Sequence, residues 1–266
     1  MLQRLESVRT FFDSDADRYR RDRYPDAPAT CEQLSYLVRR QYVLSMLAAG
    51  APTAGRVLDI GCGPGVYTSA LLDRQWKVWG TDLSSRMLVV AKDSIRNRPG
   101  AEFAVGQTTG LPFADASFDA IICIGVMAYV EDDDKTVAEI ARVLKPRGCA
   151  VIQLANRYAP IRLEQRLRWI VSRRVLRRTP DEEDRLRQAV TLAVHEPQRF
   201  GRLCRRFGLM PRSSRFYDFR TPGLVRLWPR AAVAVGRAFE AVGDRGWLAW
   251  WGSGYLVRLE KPALSE

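Results

Sequence analysis

The chain has 266 residues and a mass of 30.2 kDa; it is 47% hydrophobic and 27% charged, which suits one large globular domain or a domain with an insertion and excludes a disordered chain. It has no run of about 18 apolar residues, which excludes a membrane-spanning helix, and Met1-Leu2-Gln3-Arg4-Leu5-Glu6 lacks the apolar core of a secretory signal, so a cytoplasmic location is expected. The net charge of +12 is uneven: residues 1–156 carry 19 Lys+Arg against 19 Asp+Glu, and residues 157–266 carry 23 against 11.

A basic half calls for an anionic partner, whether membrane surface, acidic substrate or nucleic acid. Arg outnumbers Lys 37 to 5, as a GC-rich genome would produce, although that bias would not confine the surplus to one half. Cys31, Cys62, Cys123, Cys149 and Cys204 are scattered, with no C-x-x-C pair and a single histidine, His195, in the chain. Neither a disulfide framework nor a metal site is expected.

Residues 1–24 read as a polar helix with Phe11, Phe12 and Tyr19 as its apolar points, broken by Pro25 and Pro28. A second helix over 31–49 spaces Leu34, Leu37, Val38, Tyr42, Met46 and Leu47 helically. From Arg56 the chain alternates strands, at 56–60, 77–81, 101–105, 118–124 and 149–155, with helices at 66–74, 84–97 and 133–144. This pattern implies a parallel sheet covered on both faces, with its ligand beyond the carboxyl ends of the strands. The N-terminal helices are expected to form a lid over that edge.

After Ala155 the alternation stops. Residues 157–178 read as a basic helix whose Ile161, Leu163, Leu167, Ile170, Val171 and Val175 fall near one face, and an acidic patch at 181–184 follows. A helix at 198–207 ended by Gly208, an outer strand at 213–219, an irregular insert at 221–247 and a last strand at 250–259 complete the chain. The expected division is a helical lid at 1–50, a core at 51–156, a basic insertion at 157–197 and completion of the core at 198–266 around the second insertion.

Chemistry concentrates in Val57-Leu58-Asp59-Ile60-Gly61-Cys62-Gly63-Pro64-Gly65. A buried strand runs there into a turn with glycine at every second position, as a loop shaped around a ligand requires; a tight turn with no ligand is the plainer alternative. Asp82, at the tip of the second strand and 21 residues after Gly61, can accept both hydroxyls of a ribose over that turn. The turn lacks the G-x-G-x-x-G spacing of dinucleotide sites.

These residues resemble the first two signatures of class I S-adenosylmethionine-dependent methyltransferases. Gly106-Gln107-Thr108-Thr109-Gly110-Leu111-Pro112-Phe113 followed by Ser117-Phe118-Asp119 is similar to a segment of the ubiquinone, menaquinone and sterol branch, and residues 141–148 match the turn before the fifth strand. The resemblance implies a Rossmann-like, seven-stranded, mostly parallel α/β sheet with N-terminal helices and helical cap insertions, and S-adenosyl-L-methionine as cofactor. It further implies that Gly61, Gly63 and Gly65 let the backbone approach the cofactor's methionine part, with Cys62 and Ile124 beside it. Asp59 would hold the amino group, Asp82 the ribose, and Leu83 would pack on adenine. Gln107 stands where the family usually has aspartate and keeps a carbonyl acceptor, and Thr108 would present its backbone to the ring. Tyr19 and Arg40 lie where N-terminal segments of relatives reach the carboxylate, with ordinary solvated or packing roles as the alternative.

Tyr129 and His195 are the candidates for a catalytic role, with packing or surface roles as the alternative. Residues 124–127 lack the [DN]-P-P-[FYW] motif of enzymes that methylate nucleic-acid amines, and no cysteine motif for attack on a pyrimidine accompanies them. Nucleic acid is therefore not the expected substrate. The basic helix, with Trp228, Trp247, Trp250 and Trp251, has the composition of an element lying on anionic lipid, the alternative being an amphipathic cap packed on the sheet with its arginines solvated. The expected function is methyl transfer to a small or lipid-like acceptor, first at oxygen with carbon or nitrogen as alternatives. The alternative is a catalytically inactive, cofactor-binding partner or regulatory protein.

Overall fold

The computed structural model describes residues 2–25, 27–51, 54–96, 98–171, 193–221, 223–242 and 246–263. Seven strands, β1 (Arg56–Ile60), β2 (Lys77–Asp82), β3 (Ala101–Val105), β4 (Phe118–Cys123), β5 (Leu144–Ala155), β6 (Met210–Tyr217) and β7 (Gly254–Glu260), form one sheet in the order β3-β2-β1-β4-β5-β7-β6. Strands β3 to β5 pair in parallel, and β7 runs antiparallel to both β5 and β6.

Side chains of a strand alternate between faces, and the apolar runs here supply both. Val57, Ala120, Ile122, Cys149 and Val151 enter one core with α2 (Cys31–Ala48), α3 (Val66–Leu72) and α9 (Pro229–Val242). Leu58, Ile60, Ile121, Cys123, Ala150 and Ile152 enter the other with α5 (Asp133–Val143) and α7 (Pro197–Arg206). Because both faces are covered, these strands read as near-continuous hydrophobic stretches. Polar side chains mark the helix starts: Thr30 and Gln33 close a capping box on α2, and Asp132 accepts from Lys135 N–H at the start of α5.

Several expected boundaries move. The fifth strand starts at Leu144, not 149: pairing jumps from Phe118 opposite Leu144 to Ala120 opposite Cys149, and the bulge absorbs Lys145–Gly148 with Arg147 at φ 63°. The last strand starts at Gly254, since Trp250 and Trp251 belong to a 3-10 turn, Gly246–Trp251. The insert expected to be irregular is largely helical, with α8 (Leu224–Leu227) and then α9, whose Ala232 and Val233 are buried.

The basic helix is α6 (Pro160–Ile170), and its apolar residues divide between two faces. Ile161 turns inward at 9% exposure, while Leu163, Leu167 and Val171, spaced by four, are exposed. The remainder of that expected helix, Val175 included, and the acidic patch at 181–184 lie outside the described residues. Helix α4 (Ser85–Ser94) follows β2, and α1 (Leu2–Arg23) crosses the carboxyl ends of the strands.

Candidate active site

At the tip of β1 the backbone is stitched to its neighbour: Gly61 N–H and Cys62 N–H both donate to Thr81 O, at 2.7 and 3.0 Å. Gly61 has φ 68°, and a Cβ there would stand 2.2 Å from Val126 Cγ2. Gly63, at φ 51°, would meet nothing within 4 Å. One glycine is required by a neighbour and the other leaves room for a ligand. Asp82 Oδ2 accepts from Gly63 N–H at 2.9 Å and Oδ1 from Ser84 N–H at 2.8 Å. Burial raises its pKa, while the backbone donors act the other way. Each oxygen keeps a lone pair for a further donor.

Over this floor lies a cavity of about 340 Å³. Its polar end is formed by Gly61, Gly63, Asp82, Gln107, Thr108 and Thr109, and its other walls include Leu83, Ile124, Gly125 and Tyr129. Arg142 holds the loop at 107–113 from behind, donating to Leu111 O and Phe113 O and pairing with Glu139 and Asp115. Thr108 Oγ1 and Thr136 Oγ1 share a hydrogen bond of 2.9 Å. Helix α1 closes the cavity with Leu5, Val8, Phe12 and Tyr19.

Nine of the expected site residues line this cavity together: Tyr19, Gly61, Gly63, Asp82, Leu83, Gln107, Thr108, Ile124 and Tyr129. Others sit outside its lining. Asp59 is buried behind the turn, accepting from Thr68 Oγ1 at 2.9 Å, and burial pushes its pKa up to about 7. Cys62 turns its thiol toward β2, where a Cβ on Gly80 would lie 3.0 Å from Sγ. Gly65 is the N-cap of α3. Arg40 is half-buried on α2.

His195 is bound into the sheet edge instead. Its backbone N–H donates to Ala155 O, its Nε2 lies 3.2 Å from the Asp133 carboxylate, and its ring packs edge-on against Phe200. The residue is buried and lies away from the cavity lining.

Arg39 was missed by sequence reasoning. It is 8% exposed, donates to Tyr67 Oη and Tyr24 Oη, and lies over the Tyr36 ring. Among the described residues no carboxylate lies within ion-pair distance of it. A Cβ on Gly125, which lines the cavity, would be 3.8 Å from its Nη1. A buried guanidinium paired only with phenols is costly unless an anion reaches it. Periodicity alone could not separate Arg39 from Arg40, because both continue an otherwise apolar helix.

Residues 58–152 match the family model of a methyltransferase domain. Those residues form a methyltransferase domain. A demethylmenaquinone methyltransferase of Renibacterium salmoninarum is 36% identical over 151 residues, covering 56% of this chain and 59% of that protein. A ubiquinone biosynthesis O-methyltransferase of Alkalilimnicola ehrlichii is 31% identical over 140 residues, 51% of this chain and 56% of that protein. The chain spans about half the length of the relatives it matches. Magnesium protoporphyrin IX methyltransferase from Synechocystis, solved with S-adenosylhomocysteine bound, shares the fold at TM-score 0.64 and 14% identity, over 96% of this chain and 98% of that one.

The methyltransferase domain suits its cofactor on the chemistry of its donor set. A carboxylate with spare acceptor capacity lies at one end, open space at Gly63 in the middle, and an anion-seeking guanidinium behind Gly125. S-adenosylmethionine carries ribose hydroxyls and a carboxylate at matching ends.

Proposed function

We propose that the protein moves a methyl group from S-adenosylmethionine to a small, apolar, quinone-type acceptor. The observation that carries this reading is Asp82, held by Gly63 N–H and Ser84 N–H at the floor of a cavity whose far wall is apolar. Bound there, S-adenosylmethionine supplies a methyl group already activated by its sulfonium. Asp82 holds the ribose, Gln107 and Thr108 face the adenine beside Leu83, and Arg39 with Tyr19 holds the carboxylate. Asp59 orders the amino group from behind the turn. The protein's own contribution is alignment and exclusion of water, which α1 serves by closing the cavity.

Oxygen is the acceptor atom we favour, with carbon and nitrogen as alternatives. Burial pushes the Tyr129 phenol up to about 12, so near neutral pH it is a hydrogen-bond donor and not a base. With His195 paired to Asp133 away from the cavity, the bases left in its lining are carboxylates, Glu131 and Asp132 besides Asp82, and such weak bases suit an acceptor that loses its proton readily. The exposed Leu163 and Leu167 on α6 and Val171 just after it, within the basic half, support contact with an anionic membrane surface from which such an acceptor is drawn. Among the described residues no helix is long and apolar enough to cross a membrane.

Calorimetry with S-adenosylhomocysteine, followed by methyl-transfer assays on a panel of hydroquinones, tests the proposal. Asp82→Ala is expected to weaken binding by about 1.5–3 kcal/mol, roughly 10- to 150-fold. Unchanged affinity would mean that the ribose lies elsewhere. Tight binding without turnover on any acceptor would favour the inactive, regulatory reading.

A further inference from the structure

The cavity is divided. Its hydrogen-bonding groups, Asp82, Gln107, Thr108 and Thr109, belong to the tips of β2 and β3, whereas its opposite end is made by Leu5, Val8 and Phe12 against Val126, Tyr129 and Val130. The three α1 residues fall at i, i+3 and i+7, so a single helix face supplies them. Two sets of contacts fix how α1 lies. Near its start Arg4 pairs with Glu131 at 3.9 Å, and Phe12 meets Tyr129 edge-to-face with centroids 5.0 Å apart. Further along, Asp13 accepts from Ser84 Oγ and Asp17 pairs with Arg86 at 2.8 Å, both at the start of α4. The helix thus crosses from the turn after β4 to the tip of β2, with its first two turns over residues 126–131.

We infer that Leu5, Val8 and Phe12 form the wall of an acceptor chamber, and that they select an uncharged, ring-bearing acceptor by filling the space against Val126, Tyr129 and Val130. The assignment rests on the methyltransferase reading, which places the cofactor at the polar end. Leu5, Val8, Phe12, Val126 and Val130 are apolar and Tyr129 stays a neutral phenol, while the charged residues that also line the cavity are already engaged: Glu131 with Arg4 at 3.9 Å, and Asp132 with Lys135 at 3.4 Å. A charged acceptor entering it would shed its hydration against apolar side chains, beside charges that already have partners. Phe12 and Tyr129 present ring edges and faces, against which a planar ring packs in offset or edge-on fashion. Val8, at 5% exposure, sits at the centre of this face and sets the depth.

The test is equilibrium dialysis of the whole chain with S-adenosylhomocysteine, using 1-naphthol and 1-naphthalenesulfonate as probes. The wild type is expected to bind naphthol at least ten-fold more tightly than the sulfonate. Val8→Trp should weaken naphthol binding ten-fold or more, and Phe12→Ala several-fold. Affinity for S-adenosylhomocysteine should stay within about two-fold in both variants, which also reports that they are folded. If Val8→Trp does not fold, Phe12→Ala carries the test. Equal binding of the two probes, no naphthol binding to the wild type, or naphthol binding indifferent to the substitutions would overturn the chamber. Loss of S-adenosylhomocysteine affinity in parallel with naphthol affinity would assign this wall to the cofactor instead. Failure of the wild type to bind S-adenosylhomocysteine at all would overturn the methyltransferase reading itself.

Discussion

The tip of β1 and helix α6 each follow the carboxyl end of a strand and each carry apolar side chains, but their surroundings hold them differently. At the tip, Gly61 meets Val126, Gly63 donates to Asp82, and two N–H groups share Thr81 O, so each residue is restrained from several directions. On α6, Ile161 is buried while Leu163 and Leu167, with Val171 just after the helix, are exposed. Restraint of the first kind produces a defined small-molecule seat. An apolar stripe exposed among the described residues of a basic region offers adhesion instead, with less geometric demand.

The largest test of that contrast is Gly61→Ala. An L-residue at φ 68° costs about 1–2 kcal/mol, and overlap with Val126 adds about 1–3 kcal/mol, so a loss of roughly 2–5 kcal/mol is expected in chemical denaturation. Adding Val126→Ala should restore the steric part and leave the backbone part. An unaltered denaturation midpoint in Gly61→Ala would show the tip to be as tolerant as α6.

Asp59→Asn gives a second test, read through pH without cofactor. Burial raises the folded-state pKa of Asp59 from 3.8 to about 7, so between those values the folded state binds more protons than the unfolded one. Stability therefore falls as pH rises from about 4 to 7, by at most about 1.4 kcal/mol per pH unit. The Asn variant should lack this part of the slope. Glu240, also raised to about 7 by burial, titrates in both proteins and cancels in the difference. Parallel stability curves for wild type and variant would mean that Asp59 is already ionised in the folded protein.

On the α6 side, flotation with anionic vesicles should carry the wild type more than flotation with neutral ones. Leu167→Glu should lower that partition by about 1 kcal/mol, a part of a leucine's full burial, with no change in folding. Absence of flotation with either vesicle would remove the membrane reading.

The legible parts of this fold are those where local chemistry and tertiary role coincide. Gly61, Gly63 and Asp82 announce a strand tip because each is needed by the backbone at that point. The start of β7 was misplaced because Trp250 and Trp251 extend its apolar run, and only the turn into which they pack ends it at Gly252. Helix α9 was read as irregular, although Pro229 is a fitting first residue of a helix; alanines and Gly236 blur its periodicity. Arg39 and the Leu5, Val8 and Phe12 face were missed as site residues for another reason. Their roles arise only when α1 and α2 dock on the sheet, and no neighbouring residue in the chain encodes that docking.

All five cysteines are buried, and each thiol is held above its ordinary pKa, chiefly by burial. The folded protein is thereby expected to react slowly with alkylating reagents. A maleimide added to it becomes a clock for opening, and the clock has addresses. Cys62 reports on the turn after β1, Cys123 and Cys149 on the middle of the sheet, Cys31 on α2 and Cys204 on α7.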